Sequence, residues 1–242
     1  MTNADIHKLV ICQLAKELNC NVSDLQGPES KVVVSKAGEY YNFCKMICYR
    51  NTLVASVDEK IKNFMDSFVA NKIGFRCFEE FGVLSKEFYK YNRYVSVSEG
   101  WYLPDVTIDR KTNPDFDIKI LWNDDIAVLY DDEKRFHMAL SYKTTGERAD
   151  VLAVAGYKDN QIIGVAGASN DYKTMWQTGI DVIPEHRYKG TATILTKILT
   201  DEILKKGIIP FIHFAWSNIA SKNTAINSGY KAAWVELSAS ED

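Results

Sequence analysis

Between an apolar run at Trp176–Ile183 and a long amphipathic run at Ile194–Leu204 the chain reads Arg187-Tyr188-Lys189-Gly190-Thr191-Ala192. This order predicts a strand, a short glycine-bearing turn and the start of a helix. Such an arrangement limits the fold to one in which a strand feeds directly into a helix packed against its own sheet. It also makes a backbone anion site. The first-turn N–H groups of a helix have no intrahelical partner, and the helix dipole adds partial positive charge at that end. Gly190 lets the backbone approach an anion closely, and Arg187 and Lys189 add charge. A Walker loop is excluded because no Gly-Lys-Ser/Thr is present. A dinucleotide fingerprint is excluded because the triple-glycine spacing is missing.

Two further segments stand in register with this loop. Val182-x-Pro184-Glu185-x-Arg187 leads into it, and Asn218-x-Ala220-Ser221-x-x-x-Ala225-x-x-x-Gly229-Tyr230 follows one strand later. Together with Arg187-x-x-Gly190-x-Ala192, they resemble the GNAT superfamily of acyl-CoA-dependent N-acyltransferases over about residues 116–239. The resemblance implies a mixed α/β sheet and acetyl-CoA (coenzyme A) as co-substrate. It implies that Ile180, Asp181, Val182 and Ile183 hold the pantetheine arm through main-chain groups, and that a backbone N–H there polarises the thioester carbonyl. It places the pyrophosphate on Arg187, Tyr188, Lys189, Gly190, Thr191 and Ala192, with Asn218 and Ser221 as further cofactor contacts. A solvated turn at 187–189 and a helix N-cap at Ser217 or Asn218 are the plainer readings of the same residues.

One position departs from the pattern. Many GNAT enzymes carry a tyrosine seven residues after the asparagine as acid for the leaving thiolate, and here that residue is Ala225. The catalytic candidates are therefore His213, on the strand facing the cleft, Ser217, and Asp181, the carboxylate nearest the loop. Trp216 and Trp234 are candidates for an acceptor-pocket wall, although large aromatics more often serve as core. Tyr230 reads as core. The expected activity is acetyl transfer to a primary amine. An acyl-CoA sensor without turnover is the alternative that Ala225 suggests. A third reading keeps the fold and takes another acyl donor, such as an aminoacyl-tRNA.

Charge bears on the partners. Net charge is −3 and the pI about 5.9, which argues against nucleic acid, tRNA included, and against an anionic membrane. The expected partner is a small-molecule or peptide amine acceptor, and the sequence leaves a homodimer open. The start of the chain lacks a signal-peptide pattern, so the cytoplasm is the expected compartment. Cys12, Cys20, Cys44, Cys48 and Cys77 all lie in the first third and read as free, mostly buried thiols. With His7, His137, His186 and His213 scattered, no metal pattern appears and no metal is expected.

The chain reads as two α/β domains, 1–112 and 113–242, divided at the polar stretch Asp109–Pro114. The first has a strand, strand, helix, strand order that would suit a degenerate copy of the GNAT-like second. Ile61, Phe64, Met65, Phe68 and Val69 make a helical stripe behind a Ser56-x-x-Glu59 capping box. One or two helices are expected over Asp124–Leu140, and a hairpin turn at Lys158-Asp159-Asn160.

Overall fold

The computed structural model describes every residue except Ala37, Glu39, Tyr40, Asn71, Glu241 and Asp242. In chain order its elements are α1 (Asn3–Glu17), β1 (Lys31–Val34), β2 (Cys44–Tyr49), β3 (Thr52–Val57), α2 (Lys62–Val69), α3 (Phe81–Tyr89), β4 (Tyr94–Pro104) and β5 (Asp117–Trp122). There follow β6 (Asp150–Lys158), β7 (Gln161–Ser169), β8 (Met175–Val182), α4 (Thr191–Lys205), β9 (Ile209–Ala215), α5 (Ile219–Asn227) and β10 (Tyr230–Ser240). The chain divides into two compact units that alternate along the sequence. Both are built on mixed sheets, as the α/β expectation requires. Among the described residues no helix is long and apolar enough to cross a membrane.

One unit comprises His7–Trp101, Phe214–Ser217 and Ala232–Asp242. Its strands run in the order β1-β3-β2-β10-β4, with β1 parallel to β3 and β2 antiparallel to both β3 and β10. The helical stripe forms as expected, and Ile61, Met65, Phe68 and Val69 are buried with Met46, Leu53 and Ala55. Its cap differs from expectation. Ser56 is fully buried inside β3, and Asp58 instead accepts from Lys60 N at 2.9 Å. The strand's own ladder holds Ser56 in extended backbone, so the turn starts two residues later. Cys44, Cys48 and Cys77 are buried free thiols. Trp234 is buried and stacks on Trp101 at 5.1 Å.

The other unit comprises Met1–Ile6, Tyr102–His213 and Asn218–Lys231. Its strands run β5-β6-β7-β8-β9. Successive pairs from β5 to β8 are antiparallel, and β8 pairs with β9 in parallel. The β6–β7 hairpin turns on Asp159 and Asn160, whose φ of 51° and 61° suit the tight turn type that Asp and Asn tolerate. Helix α4 covers one face, burying Leu195, Leu199 and Ile203 against Leu152, Val154 and Ala166. The segment 126–140 covers the other, with Ile126, Leu129, Phe136 and Leu140 on Ala153 and Val165.

That second layer is not α-helical, contrary to the expectation for Asp124–Leu140. A 3-10 helix spans Asn123–Leu129, and turns lead from it to residue 140. The cause is close backbone contact. A Cβ on Gly167 would lie 2.1 Å from Ala139 O, and one on Gly179 would lie 2.0 Å from Met138 O. Strand glycines admit such an approach, which the side chains around a helix would prevent. Side chains also take the N–H groups a helix would use. Met138 N donates to Asp181 Oδ2 (2.8 Å), Phe136 N to Tyr142 Oη (3.0 Å), and Ser141 N and Tyr142 N to buried Asp150 (2.8 and 2.9 Å).

Candidate active site

The site is built on a ladder that stops early. Strands β8 and β9 pair only at Met175–Ile209, Trp176–Pro210 and Gln177–Phe211. Both strands continue past that point, β8 to Val182 and β9 to Ala215. Ile209 N donates to Thr174 O at 2.9 Å. The even residues of β8 therefore turn their N–H and C=O groups toward β9 and the odd residues toward β7. Ile183 N agrees, donating to Ile163 O on β7 at 3.1 Å. Beyond the last rung, Ile180 and Val182 thus present backbone groups on the side that β9 has left. Asp181 and Ile183 turn theirs to β7, so of the four residues expected along the arm only Ile180 and Val182 turn main-chain groups to that side.

The loop that follows carries the sequence-predicted anion site. Gly190 caps α4 in the left-handed region (φ 83°, ψ −6°), with open space where a Cβ would point. Helix α4 has no side-chain cap and no acidic residue in its first turn. Ile194 N makes the first helical bond back, to Gly190 O at 3.0 Å. The N–H groups of Thr191, Ala192 and Thr193 precede that bond and lie in the free first turn. Thr191 Oγ1 donates to His186 O (3.3 Å), tying the preceding turn to the helix start. Arg187 Nε donates to Val182 O at 2.8 Å and braces the loop against the end of β8. Tyr188 is wholly exposed, and Lys189 is exposed beside it.

The remaining candidates fall in different places. Asn218 caps α5, its Oδ1 accepting from Ser221 N at 3.1 Å. Ser217, one residue earlier, is exposed and belongs to the other unit. Ala225 is buried on α5 and offers no proton at the position where the family's tyrosine stands. Phe211 pairs with Gln177 and so shares its face, opposite α4. His213 lies two residues on, and its ring stacks on Phe211 at 6.2 Å and 19°. It therefore points away from the helix layer. Asp181 lies on the same face of β8, half-buried. Burial raises its carboxyl pKa, while the Met138 N–H, His137 and Arg187 pull it down. Its carboxylate is engaged with the 138–139 backbone.

The sequence reading missed two features. Thr178 stands at the parting of the strands, its Oγ1 donating to Phe211 O at 3.1 Å. The segment 136–142 is seated on Gly167 and Gly179, and those glycines within apolar strands were the available signal.

The match to known families falls on these elements. Residues 118–228 match the model of the acetyltransferase (GNAT) family. Residues 118–228 form a GNAT acetyltransferase domain. This places the domain among acyltransferases at the level of the family; residues 1–117 lie outside the match. No curated protein matches the chain. Solved structures similar to it include a GNAT-family acetyltransferase from Novosphingobium aromaticivorans (16% identity, TM-score 0.42, covering 61% of this chain and 66% of that one). Another is a GCN5-related N-acetyltransferase-like protein from Streptococcus suis (17%, 0.45, 64% and 66%). A third is a GNAT-family acetyltransferase from Colwellia psychrerythraea (10%, 0.44, 60% and 56%). Each match spans less than two thirds of the other protein's length.

Proposed function

We propose that this chain transfers an acyl group, acetyl in the first instance, from coenzyme A to a primary amine. The observation that carries the reading is the open edge of β8. It runs from Ile180 past Val182 into the uncapped N-terminus of α4 at Gly190. A long ligand with amide groups along it and phosphates at one end suits that sequence of groups. The carbonyl of Ile180 and the N–H of Val182 would take the amides. The N–H groups of residues 191–193, with Lys189 and the free end of the Arg187 guanidinium, would take the phosphates. When bound, acyl-CoA supplies the acyl group as an activated thioester.

In this reading Ile180 N–H, fixed in the strand, polarises the carbonyl under attack, and little reorganisation is needed at the moment of reaction. His213 accepts the amine proton, since imidazole is the side chain suited to that task near neutrality. Asp181 positions the 136–142 segment as the acceptor-side wall and does not act as base. With alanine at 225, the proton for the leaving thiolate comes from water.

Titration calorimetry with CoA and acetyl-CoA tests the reading, with an expected Kd on the order of micromolar. Gly190→Glu is a poor control, because any L side chain at φ 83° is strained whatever it does to a ligand. Ala192→Glu is better. A carboxylate in the first turn stabilises the helix by about 0.3–1 kcal/mol while repelling an anion there. It should raise the Kd at least about 10-fold without lowering the melting temperature. No binding by the parent, or equal binding by Ala192→Glu, refutes the proposal.

A panel of amines, followed by CoA release, then identifies the acceptor. His213→Ala is expected to lower kcat/KM roughly 100-fold and leave CoA affinity unchanged. Activity within about threefold of the parent would remove His213 from the mechanism. Tight CoA binding without turnover of any amine would favour the sensor.

A further inference from the structure

Buried hydroxyls, rather than apolar side chains, stand where β8 and β9 part. We propose that Thr178, Thr200 and Tyr230 are positioning residues whose hydroxyl cluster fixes where the β8–β9 ladder ends and so holds the backbone of Ile180 open. The consequence for catalysis rests on the acyl-CoA reading above. The structural claim does not.

The three residues come from β8, α4 and β10, and their exposures are 4%, 0% and 2%. Thr178 Oγ1 donates to Phe211 O at 3.1 Å, and Phe211 belongs to the last rung. Thr200 Oγ1 and Tyr230 Oη lie 2.8 Å apart, and Thr200 Oγ1 also donates to Thr196 O at 2.7 Å. Burial pushes the Tyr230 phenol up to about 12, and the neighbouring Thr200 and Thr178 hydroxyls act in the opposite direction. The phenol is thus neutral and serves as a hydrogen-bonding group.

Buried hydroxyls must keep their partners. The even residues of β8 face α4, where Trp176 and Ile180 pack against it. Accepting from Thr178 on that side would draw the Phe211 carbonyl out of the ladder plane, so that the strand after it leaves the ladder. One more rung would join Ile180 N to His213 O and close the edge that the ligand needs. The reading of Tyr230 as plain core therefore covers its ring but not its hydroxyl.

The test uses Thr178→Val, which keeps the side-chain shape and removes the hydroxyl, with Thr178→Ser as rescue. Two readouts are taken on the full chain: exchange of the Ile180 amide without ligand, and CoA affinity by calorimetry. Thr178→Val should slow exchange at Ile180 about 10-fold as the extra rung forms and weaken CoA about 10-fold. Thr178→Ser should restore both. A merely structural role would speed exchange through loosening, so exchange at Ile180 that is unchanged or faster overturns the proposal. If Thr178→Val does not fold, Tyr230→Phe is read in the same way, and parental exchange and affinity in that variant overturn it too. If the parent binds no CoA, the acyl-CoA reading fails, and the exchange measurement still decides the hydroxyl cluster.

Discussion

Arg110→Ala is expected to lower folding stability by about 3–5 kcal/mol, because several buried carbonyls lose their donor at roughly 1–3 kcal/mol each. Arg110 is 6% exposed although it lies in a polar stretch. Its Nη2 donates to Asp105 O at 2.7 Å and to Gly229 O at 3.2 Å, and its Nε donates to Ser228 O at 3.3 Å. Ser228 and Gly229 follow the end of α5, where unpaired carbonyls and the helix dipole both favour a cation. The Asp105 side chain is occupied separately. Lys231 at 2.5 Å, Asn3 and Thr107 bind it and hold its carboxyl well below the usual range. Removing the guanidinium leaves four carbonyls, those of Asp105, Ile108, Ser228 and Gly229, without that donor and a cavity at their centre. Arg110→Lys should recover part of the loss, because an ammonium cannot span the same carbonyls as a planar fork. Denaturant unfolding of the three proteins measures the series. A loss below about 1 kcal/mol for Arg110→Ala would show that water replaces the guanidinium at no net cost.

That arginine also shows where the sequence stopped being informative. Charged residues beside Asn113-Pro114 read as a solvated break, and nothing local reports that one of them meets carbonyls more than a hundred positions away. Regular elements were legible where a period met a stop signal. The stripe from Ile61 to Val69, the hairpin at Asp159-Asn160 and the strand, loop and helix around Gly190 all formed as read. The segment 124–140 was misread because its apolar spacing suits a helix, whereas Gly167, Gly179, Asp150 and Asp181, all distant in sequence, decide its backbone. The alternation of the two compact units was hidden for the same reason. It depends on β10, whose residues 234–239 pair with β2.

The backbone elements around the candidate site were legible in the sequence, and the facing of its side chains was not. A glycine at a helix start carries its own local signal, and the structure places Gly190 in the left-handed region that explains it. The facing of single residues is set by ladder register. Register separates Ile180 and Val182 from Asp181 and Ile183, and it turns His213 away from α4. No pattern in the sequence fixes register across the long connection between β8 and β9.

Lys45→Met should likewise remove about 3–5 kcal/mol at neutral pH, and here the loss should depend on pH in a defined direction. Lys45 Nζ lies 2.9 Å from Glu17 Oε2 and 3.3 Å from Glu236 Oε1, and all three side chains are largely buried. Ser238 Oγ donates to Glu236 Oε1 at 3.0 Å, and Gln13 Nε2 to Glu17 Oε1 at 3.2 Å. Burial works against the ammonium, but Glu236 and Glu17 outweigh it and raise the Lys45 pKa. Lys45 thus contributes stability that is present below its unfolded pKa and is lost only as pH rises through the raised value, in the alkaline range. Burial also raises the Glu236 pKa, against the attraction of Lys45. A carboxyl raised in the folded state favours folding below its unfolded pKa, and that contribution fades as pH rises through the folded value. Without Lys45 no cation restrains that rise, and two buried carboxylates face each other unless one is protonated. The variant should therefore lie close to the parent at about pH 4.5 and fall progressively behind it toward about pH 8. Unfolding curves at several pH values across that interval give the difference directly. A gap of constant size would mean that the methylene stem of Lys45, and not its charge, is what the cluster requires. Adding Glu236→Gln to Lys45→Met should flatten the pH dependence, because the raised carboxyl is then absent.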